Sequence, residues 1–130
     1  MCSSDLQYSS SGVATFLQSG AIAALDRGDS FVAHQIARAK QGREIVCDGL
    51  SHLGNIQFAK PEGAFYLYFS VAGETDSLTL AKRMIDEANV GLAPGFAFDT
   101  DGESYLRLCF ARKAEDLIEA TRRLAKALIR

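Results

Sequence analysis

Cysteine and histidine are scarce in this sequence of 130 residues, and their positions match no metal-binding or disulfide pattern. The three cysteines, Cys2, Cys47 and Cys109, are odd in number and widely spaced, so we expect reduced thiols in a cytosolic protein. The two histidines, His34 and His52, have no carboxylate or cysteine at a ligand spacing. We therefore predict neither a metal site nor a disulfide framework.

Long apolar runs and a strong excess of one charge are also absent. No segment approaches the roughly 20 consecutive apolar residues that a membrane-spanning helix needs. The formal net charge is −2 with both signs interspersed, which provides no basic surface for nucleic acid or for a membrane. With 48% apolar and 23% charged residues, and no signal-peptide pattern at the N-terminus, we expect a soluble, globular, cytoplasmic protein.

Periodicity predicts an alternation of helices and strands within the length of one ordinary domain. The first 12 residues are serine-rich and aperiodic, and residues 1–6 have the character of a non-native extension. Four helices are predicted, over residues 13–25, 30–54, 77–89 and 114–130. Four strands are predicted, over residues 55–59, 64–71, 90–93 and 104–111. We therefore predict an α/β protein with an α+β small domain, in which helices pack on a small, mostly antiparallel sheet in two layers.

The second helix is the longest predicted element. Asp29 is a good N-cap for it, and Gly54 is a good C-terminal stop. At 1.5 Å per residue the helix would be about 37 Å long, which is more than the roughly 30 Å span of a small domain. It is therefore long enough to connect two bodies, whereas its interrupted heptad disfavours a coiled coil.

Alternation and helical spacing predict which side chains face the core. The predicted inner faces are Phe65, Leu67 and Phe69 in the second strand, Leu78, Ala81, Met84, Ile85 and Ala88 in the third helix, and Leu117, Ile118, Thr121, Leu124, Ala125 and Leu128 in the last helix. Tyr66 and Tyr68 point to the opposite face of the sheet. There they form either an aromatic binding surface or a second, half-buried face.

Arg107 is the one charged side chain inside a well-formed strand, and it faces the same side as Tyr105 and Cys109. A guanidinium group in such surroundings needs an anionic partner, because burying it unpaired is costly. Its planar fork matches a carboxylate through two parallel hydrogen bonds. The pattern alone leaves two interpretations open: an anion-binding arginine beside a loop, or a structural arginine in a salt bridge or on a solvated edge strand.

Three segments, taken in order, resemble the C-terminal part of the class I/II pyridoxal-phosphate-dependent aminotransferases, of fold type I and the aspartate and aromatic aminotransferase superfamily. They are KPEGAFY at 60–66, the stretch 90–98, and the stretch 103–111 followed by the final amphipathic helix. The match extends over nearly all of residues 7–130. The resemblance implies that residues 1–28 end the large cofactor domain, residues 29–54 are the long connector helix, and residues 55–130 form the C-terminal small domain.

The resemblance also implies roles for individual residues. Arg107 matches the arginine that binds the α-carboxylate of the amino-acid substrate, and Pro94, Gly95 and Phe96 match the loop over the mouth of the active site. Where the family usually has glycine after the second phenylalanine of this loop, this chain has Asp99. The Schiff-base lysine, the partner of the pyridine nitrogen and the phosphate-binding residues of the family lie upstream. None of the five lysines here matches the lysine motif: Lys40, Lys60, Lys82, Lys113 and Lys126.

What the resemblance implies for function is a C-terminal fragment of an aminotransferase that moves an amino group between an amino acid and a 2-oxo acid. Such an enzyme would use pyridoxal 5'-phosphate and form a homodimer when complete, whereas this fragment alone would be inactive and would hold no catalytic, cofactor-binding or metal-binding residue. Related lyases and synthases share the pattern, and the amino acid is not indicated. Two alternatives remain: a stand-alone α/β module that binds an amino acid or other small anion, and a pure interaction domain.

Overall fold

The computed structural model describes residues 12–98 and 100–129, and it confirms the predicted mixture of helices and antiparallel strands. The elements are α1 (Thr15–Arg27), α2 (Asp29–Ser51), β1 (Ile56–Phe58), β2 (Tyr66–Val71), α3 (Ser77–Ala88), β3 (Ala93–Pro94), β4 (Tyr105–Cys109) and α4 (Ala114–Leu128). Two 3₁₀ turns, Gly95–Ala97 and Gly102–Ser104, lie between β3 and β4. The proposed non-native extension lies outside the described residues.

The four strands form one antiparallel sheet in the order β1-β2-β4-β3. The predicted alternation is confirmed in the two central strands, since Leu67 and Phe69 of β2 and Leu106 and Leu108 of β4 are buried. They join the apolar sides of α3, α4 and the C-terminal half of α2 in one core, so these three helices cover a single face of the sheet. The other face of the sheet carries the alternate side chains, including Arg107.

Helices α2, α3 and α4 each bury one stripe of mainly apolar side chains. In α4 the predicted central stripe is confirmed, since the structure buries Leu117, Thr121, Leu124 and Leu128. In α3 the buried residues are Ser77, Leu80, Ala81, Met84 and Ala88. The long helix contributes Gly42, Val46, Cys47 and Leu50 from its C-terminal half. It begins one residue earlier than predicted, because the Gly28 carbonyl already accepts a 3.0 Å hydrogen bond from the amide of Val32.

Four predicted core residues are instead exposed. Phe65 is 43% exposed, because Ala64 adopts a left-handed conformation with φ of 57° and the strand begins only at Tyr66. Leu78, Ile85 and Ile118 are 41%, 51% and 56% exposed. They lie at the margins of their helical stripes, where the sheet no longer covers the helix.

The described chain divides into two compact units, one ending at Ile36 and the other beginning at Ala37. This division falls inside α2, so the predicted boundaries after residues 28 and 54 stay a prediction. Helix α1, in the first unit, buries none of its residues. Across residues 12–98 and 100–129, no helix is long and apolar enough to cross a membrane, and no cluster of histidine, cysteine and acidic side chains could hold a metal ion.

Asp76 caps α3 and should make its stability depend on pH. The carboxylate accepts 3.0 Å hydrogen bonds from the amides of Leu78 and Thr79 and a 2.6 Å bond from the Thr79 hydroxyl. The hydrogen bond from the Thr79 side chain, followed by those from the backbone, lowers the pKa of Asp76. The stabilisation is therefore complete above the unfolded-state pKa of about 3.9 and is lost as the pH falls through the lower folded-state value.

We expect Asp76→Asn, which keeps a good capping oxygen, to remove this part of the pH dependence. The measurement is the urea midpoint of unfolding between about pH 6 and pH 2.5. Asp86→Asn removes the same charge from an exposed position of α3 and is the matched control. Identical pH profiles for the Asp76→Asn variant and the unmodified chain would show that the cap does not titrate as described.

Candidate active site

Arg107 lies on the face of the sheet opposite to the one that packs against α3, α4 and the C-terminal half of α2. Strand β4 lies between β2 and β3 in the sheet. Arg107 is directly opposite Tyr68 of β2 and Ala93 of β3. Its side chain is half-buried. The alternation of β4, with buried Leu106 and Leu108 on either side, directs the arginine outwards as the sequence predicts.

Two aromatic rings flank the guanidinium group. The Arg107 Cζ atom lies 4.2 Å from the ring centroid of Tyr66 and 3.6 Å from that of Phe98. Tyr66 belongs to β2 and is paired with Cys109, so it is the diagonal neighbour of Arg107 on the same face. Phe98 comes from the loop between β3 and β4. Both distances are within the range of cation–π attraction.

No carboxylate of residues 12–98 and 100–129 forms an ion pair with Arg107. The acidic side chains that are paired there have other partners: Glu44 with Arg43 and Lys60, Glu74 and Glu87 with Arg83, and Glu119 with Arg122 and Arg123. The structural salt bridge that the sequence left open is therefore not present in this part of the chain. A guanidinium group carries its five N–H donors in its own plane, so rings over its faces leave that edge available to a ligand.

The loop after β3 depends on the close approach of two glycines. A Cβ atom on Gly95 would collide with the carbonyl oxygen of Gly102 and lie 2.5 Å from the Tyr68 hydroxyl oxygen. The two 3₁₀ turns can therefore pack together over Tyr68 only because both positions lack a side chain. Pro94, in β3, is paired with Leu106, so the loop starts beside the strand that carries Arg107.

The three predicted loop residues, Pro94, Gly95 and Phe96, have different surroundings in the structure. Pro94 and Gly95 lie beside β4 and Tyr68. The Phe96 amide instead donates a 3.4 Å hydrogen bond to the Ser77 hydroxyl at the start of α3. Its ring is 49% exposed and lines a shallow groove with residues of the α3 N-terminus. A role for all three residues at the mouth of an active site stays a prediction.

The sequence did not predict that Tyr66 and Phe98 contact Arg107. Alternation placed Tyr66 on the correct face, and the diagonal contact could have been found once the register of β2 and β4 was known. Phe98 has no such signal, because its position depends on the path of the loop. A further aromatic pair lies beside this group: Tyr68 and Tyr105 stack with centroids 4.7 Å apart and planes inclined by 3°.

The described strands contain no lysine, and the cysteine on the face of Arg107, Cys109, is a half-buried free thiol. Lys60 forms an ion pair with Glu44, and the other four lysines lie in helices or directly before α4, the layer on the opposite face of the sheet. Cys47 is a free thiol of the core, and burial raises its pKa. The described strands therefore offer no lysine amine for a covalently held cofactor at this face.

Known aminotransferases align with nearly the whole chain, whereas no family model matches it. It is 36% identical over 114 residues to a probable aspartate aminotransferase of Methanocaldococcus jannaschii, which covers 88% of this chain and 30% of that protein. It is 39% identical over 88 residues to the valine–pyruvate aminotransferase of Mycobacterium tuberculosis, covering 66% of this chain and 23% of that protein. The chain thus spans about a third or less of the length of these relatives, at the C-terminal part.

Comparison of the fold with solved structures also finds aminotransferases. The crystal structure of an aromatic aminotransferase from Pyrococcus horikoshii superposes with a TM-score of 0.85 at 32% identity, covering 94% of this chain and 33% of that one. The helices and the small antiparallel sheet are therefore those of an aminotransferase C-terminal region. In sequence and in fold, the chain belongs to the aspartate and aromatic aminotransferase family and corresponds to the C-terminal part of its members.

Proposed function

We propose that this chain is the C-terminal part of an enzyme that transfers an amino group between an amino acid and a 2-oxo acid, and that Arg107 binds the α-carboxylate of these substrates. The observation that carries the proposal is the state of Arg107. It is half-buried and in contact with two rings, and none of the described carboxylates forms an ion pair with it. A small anion is the partner that such a group lacks.

A substrate carboxylate would meet the edge of the guanidinium group, where it can accept two parallel, charge-assisted hydrogen bonds. Two bonds restrict the rotation of the carboxylate as well as its position. The α-carbon, one bond away, is then held in a defined place relative to the strand. The role of Arg107 is therefore to bind and orient the substrate, while the stacked pair Tyr68 and Tyr105 forms part of the same face.

Pyridoxal 5'-phosphate, when bound, supplies the electron sink for amino-group transfer. The described residues beside Arg107 contain no lysine that could hold it, so we place the cofactor site mainly in chain outside residues 1–130. We also place Pro94, Gly95 and Phe96 near the mouth of the site in the complete enzyme. The part of the reaction assigned to this chain is recognition of the carboxylate.

Recognition of this one group does not select among amino acids, because all of them carry it. The names of the relatives accordingly differ in the amino acid, since they refer to aspartate, to valine and to aromatic substrates. Residues that select the side chain are therefore expected elsewhere in the complete enzyme.

We further propose that the complete enzyme is a cytoplasmic homodimer. Helix α1 exposes Phe16 by 76% and Leu25 by 84%, and apolar surface of this kind is normally covered by further chain or by a second subunit. The free thiols of Cys47 and Cys109 fit a reducing compartment.

The proposal predicts a difference between the complete protein and residues 1–130. With pyridoxal 5'-phosphate, the complete protein should transaminate at least one of aspartate, phenylalanine and valine with 2-oxoglutarate. Residues 1–130, shown to be folded by circular dichroism, should give no turnover and no cofactor-bound absorbance band. Turnover by residues 1–130 would overturn the assignment of the cofactor site to another part of the chain.

The stand-alone module is the second candidate, and one observation favours it: the unit from Ala37 onwards has its own core of sheet and helices. If residues 1–130 bind an amino acid tightly without cofactor, and the complete protein has no transaminase activity, the module is the better description. Calorimetric titration of residues 1–130 with the three amino acids makes this comparison directly.

A further inference from the structure

We infer that Phe98 and Tyr66 are positioning residues, which clamp the two faces of the Arg107 guanidinium so that only its edge can meet a carboxylate. This inference rests on the proposed role of Arg107. It assigns a function to two aromatic residues on separate elements, the β3–β4 loop and strand β2.

The contact geometry distinguishes a clamp from ordinary packing. Aromatic rings often cover the aliphatic stem of an arginine. Here the rings lie over the charged end, since both distances, 3.6 Å and 4.2 Å, are measured to Cζ at the centre of the guanidinium. Phe98 is also 49% exposed, so burial of its own surface in a core does not explain its place.

A clamp of this kind has two consequences for binding. It holds a side chain that otherwise loses roughly 2 kcal/mol of rotamer entropy when a ligand immobilises it. It also prevents an anion from approaching over the face of the group, which leaves the coplanar, two-bond arrangement at the edge. The clamp should therefore improve affinity for a carboxylate specifically, and not for a neutral ligand of the same shape.

The two halves of the clamp are held by different means. Tyr66 is placed by the register of β2 on β4, which pairs it with Cys109. Phe98 is placed by the loop, where its amide closes the first 3₁₀ turn by donating a 2.9 Å hydrogen bond to the carbonyl of Gly95, the first residue of the turn. Since Gly95 packs against Gly102, the conformation of this loop sets the position of Phe98 over the arginine.

The test uses the complete enzyme and ligands that bind without reacting. The probes are 3-phenylpropionate or isovalerate, which are the deaminated analogues of phenylalanine and valine, chosen to match the better substrate of the two. Each acid is compared with the amide in which the carboxyl group that corresponds to the α-carboxylate is replaced. We expect Phe98→Leu and Tyr66→Leu each to raise the calorimetric Kd of the acid about 3- to 30-fold, with little change for the amide.

Conservative variants and a double-mutant cycle separate positioning from general damage. Phe98→Tyr and Tyr66→Phe keep a ring over the guanidinium and should restore acid binding to within about threefold. In an Arg107→Gln background, Phe98→Leu should have no further effect on the acid, because the residue it acts through is gone. Melting temperatures report whether each variant is folded.

The outcomes are distinguishable. If Arg107→Gln leaves acid binding unchanged, the proposed function fails and the clamp with it. If Arg107→Gln weakens acid binding but folded Phe98→Leu and Tyr66→Leu do not, only the clamp is wrong. Equal losses for the acid and the amide, or equal losses with and without Arg107, would likewise overturn it in favour of a merely structural role.

Discussion

Arg107→Gln in the complete enzyme should lower kcat/KM for the amino-acid substrate by about 10²- to 10³-fold. The glutamine is similar in length but has neither the charge nor the paired donors of the guanidinium. Two charge-assisted hydrogen bonds contribute roughly 3–4 kcal/mol, which corresponds to that loss in rate. Arg107→Lys keeps the charge without the planar fork, so we expect an intermediate loss of about tenfold.

Steady-state kinetics with both substrates, together with a spectrophotometric titration of pyridoxal 5'-phosphate, tests this result. Affinity for the cofactor should be retained, because we propose that the cofactor is held mainly by chain outside residues 1–130. Arg112→Gln is the matched control, since it removes the same group from an exposed position three residues after the end of β4. Unchanged kinetics in the Arg107→Gln variant would exclude the carboxylate-binding role.

The largest expected effect on stability is at Gly42, where α2 meets the core. A Cβ atom there would collide with the carbonyl oxygen of Phe110 and lie 3.0 Å from Cδ1 of Leu117. The carbonyl belongs to the backbone after β4, which cannot move without disturbing the sheet. We expect Gly42→Ala to lower the free energy of unfolding by about 3 kcal/mol, measured by urea denaturation of the chain.

Gly20→Ala is the control for this change, because it makes the same substitution inside a helix. Nothing lies within 4 Å of a Cβ atom at Gly20, which is exposed on α1. There the helix propensity of alanine should act alone and stabilise α1 by up to about 1 kcal/mol. If Gly42→Ala were as well tolerated as Gly20→Ala, the close contact of α2 with the segment after β4 would be wrong.

Local periodicity was sufficient for the elements and for the direction of most side chains. The alternation of β4 directs Arg107 away from buried Leu106 and Leu108, because successive side chains of a strand point to opposite faces. The stripe of α4 around Leu117 and Leu124 is equally local, since it follows from 3.6 residues per turn. Both were predicted correctly.

Three of the four errors in the predicted core share a physical cause. Leu78, Ile85 and Ile118 lie at the edge of a helical stripe, and whether an edge is covered depends on how the partner layer is placed. Phe65 failed for a different reason. Because the backbone of Ala64 is left-handed, the alternation of the strand begins only at Tyr66, and alanine gives no sign that it will adopt this conformation.

The sequence by itself determined the order of elements, the outward direction of Arg107 and the resemblance to aminotransferases, because each depends on neighbours along the chain. Only the tertiary structure decided what surrounds the arginine. Tyr66 and Phe98 contact it from a neighbouring strand and a loop, and none of the described acids forms an ion pair with it. Such contacts depend on strand register and on the packing of Gly95 against Gly102, which no local pattern specifies.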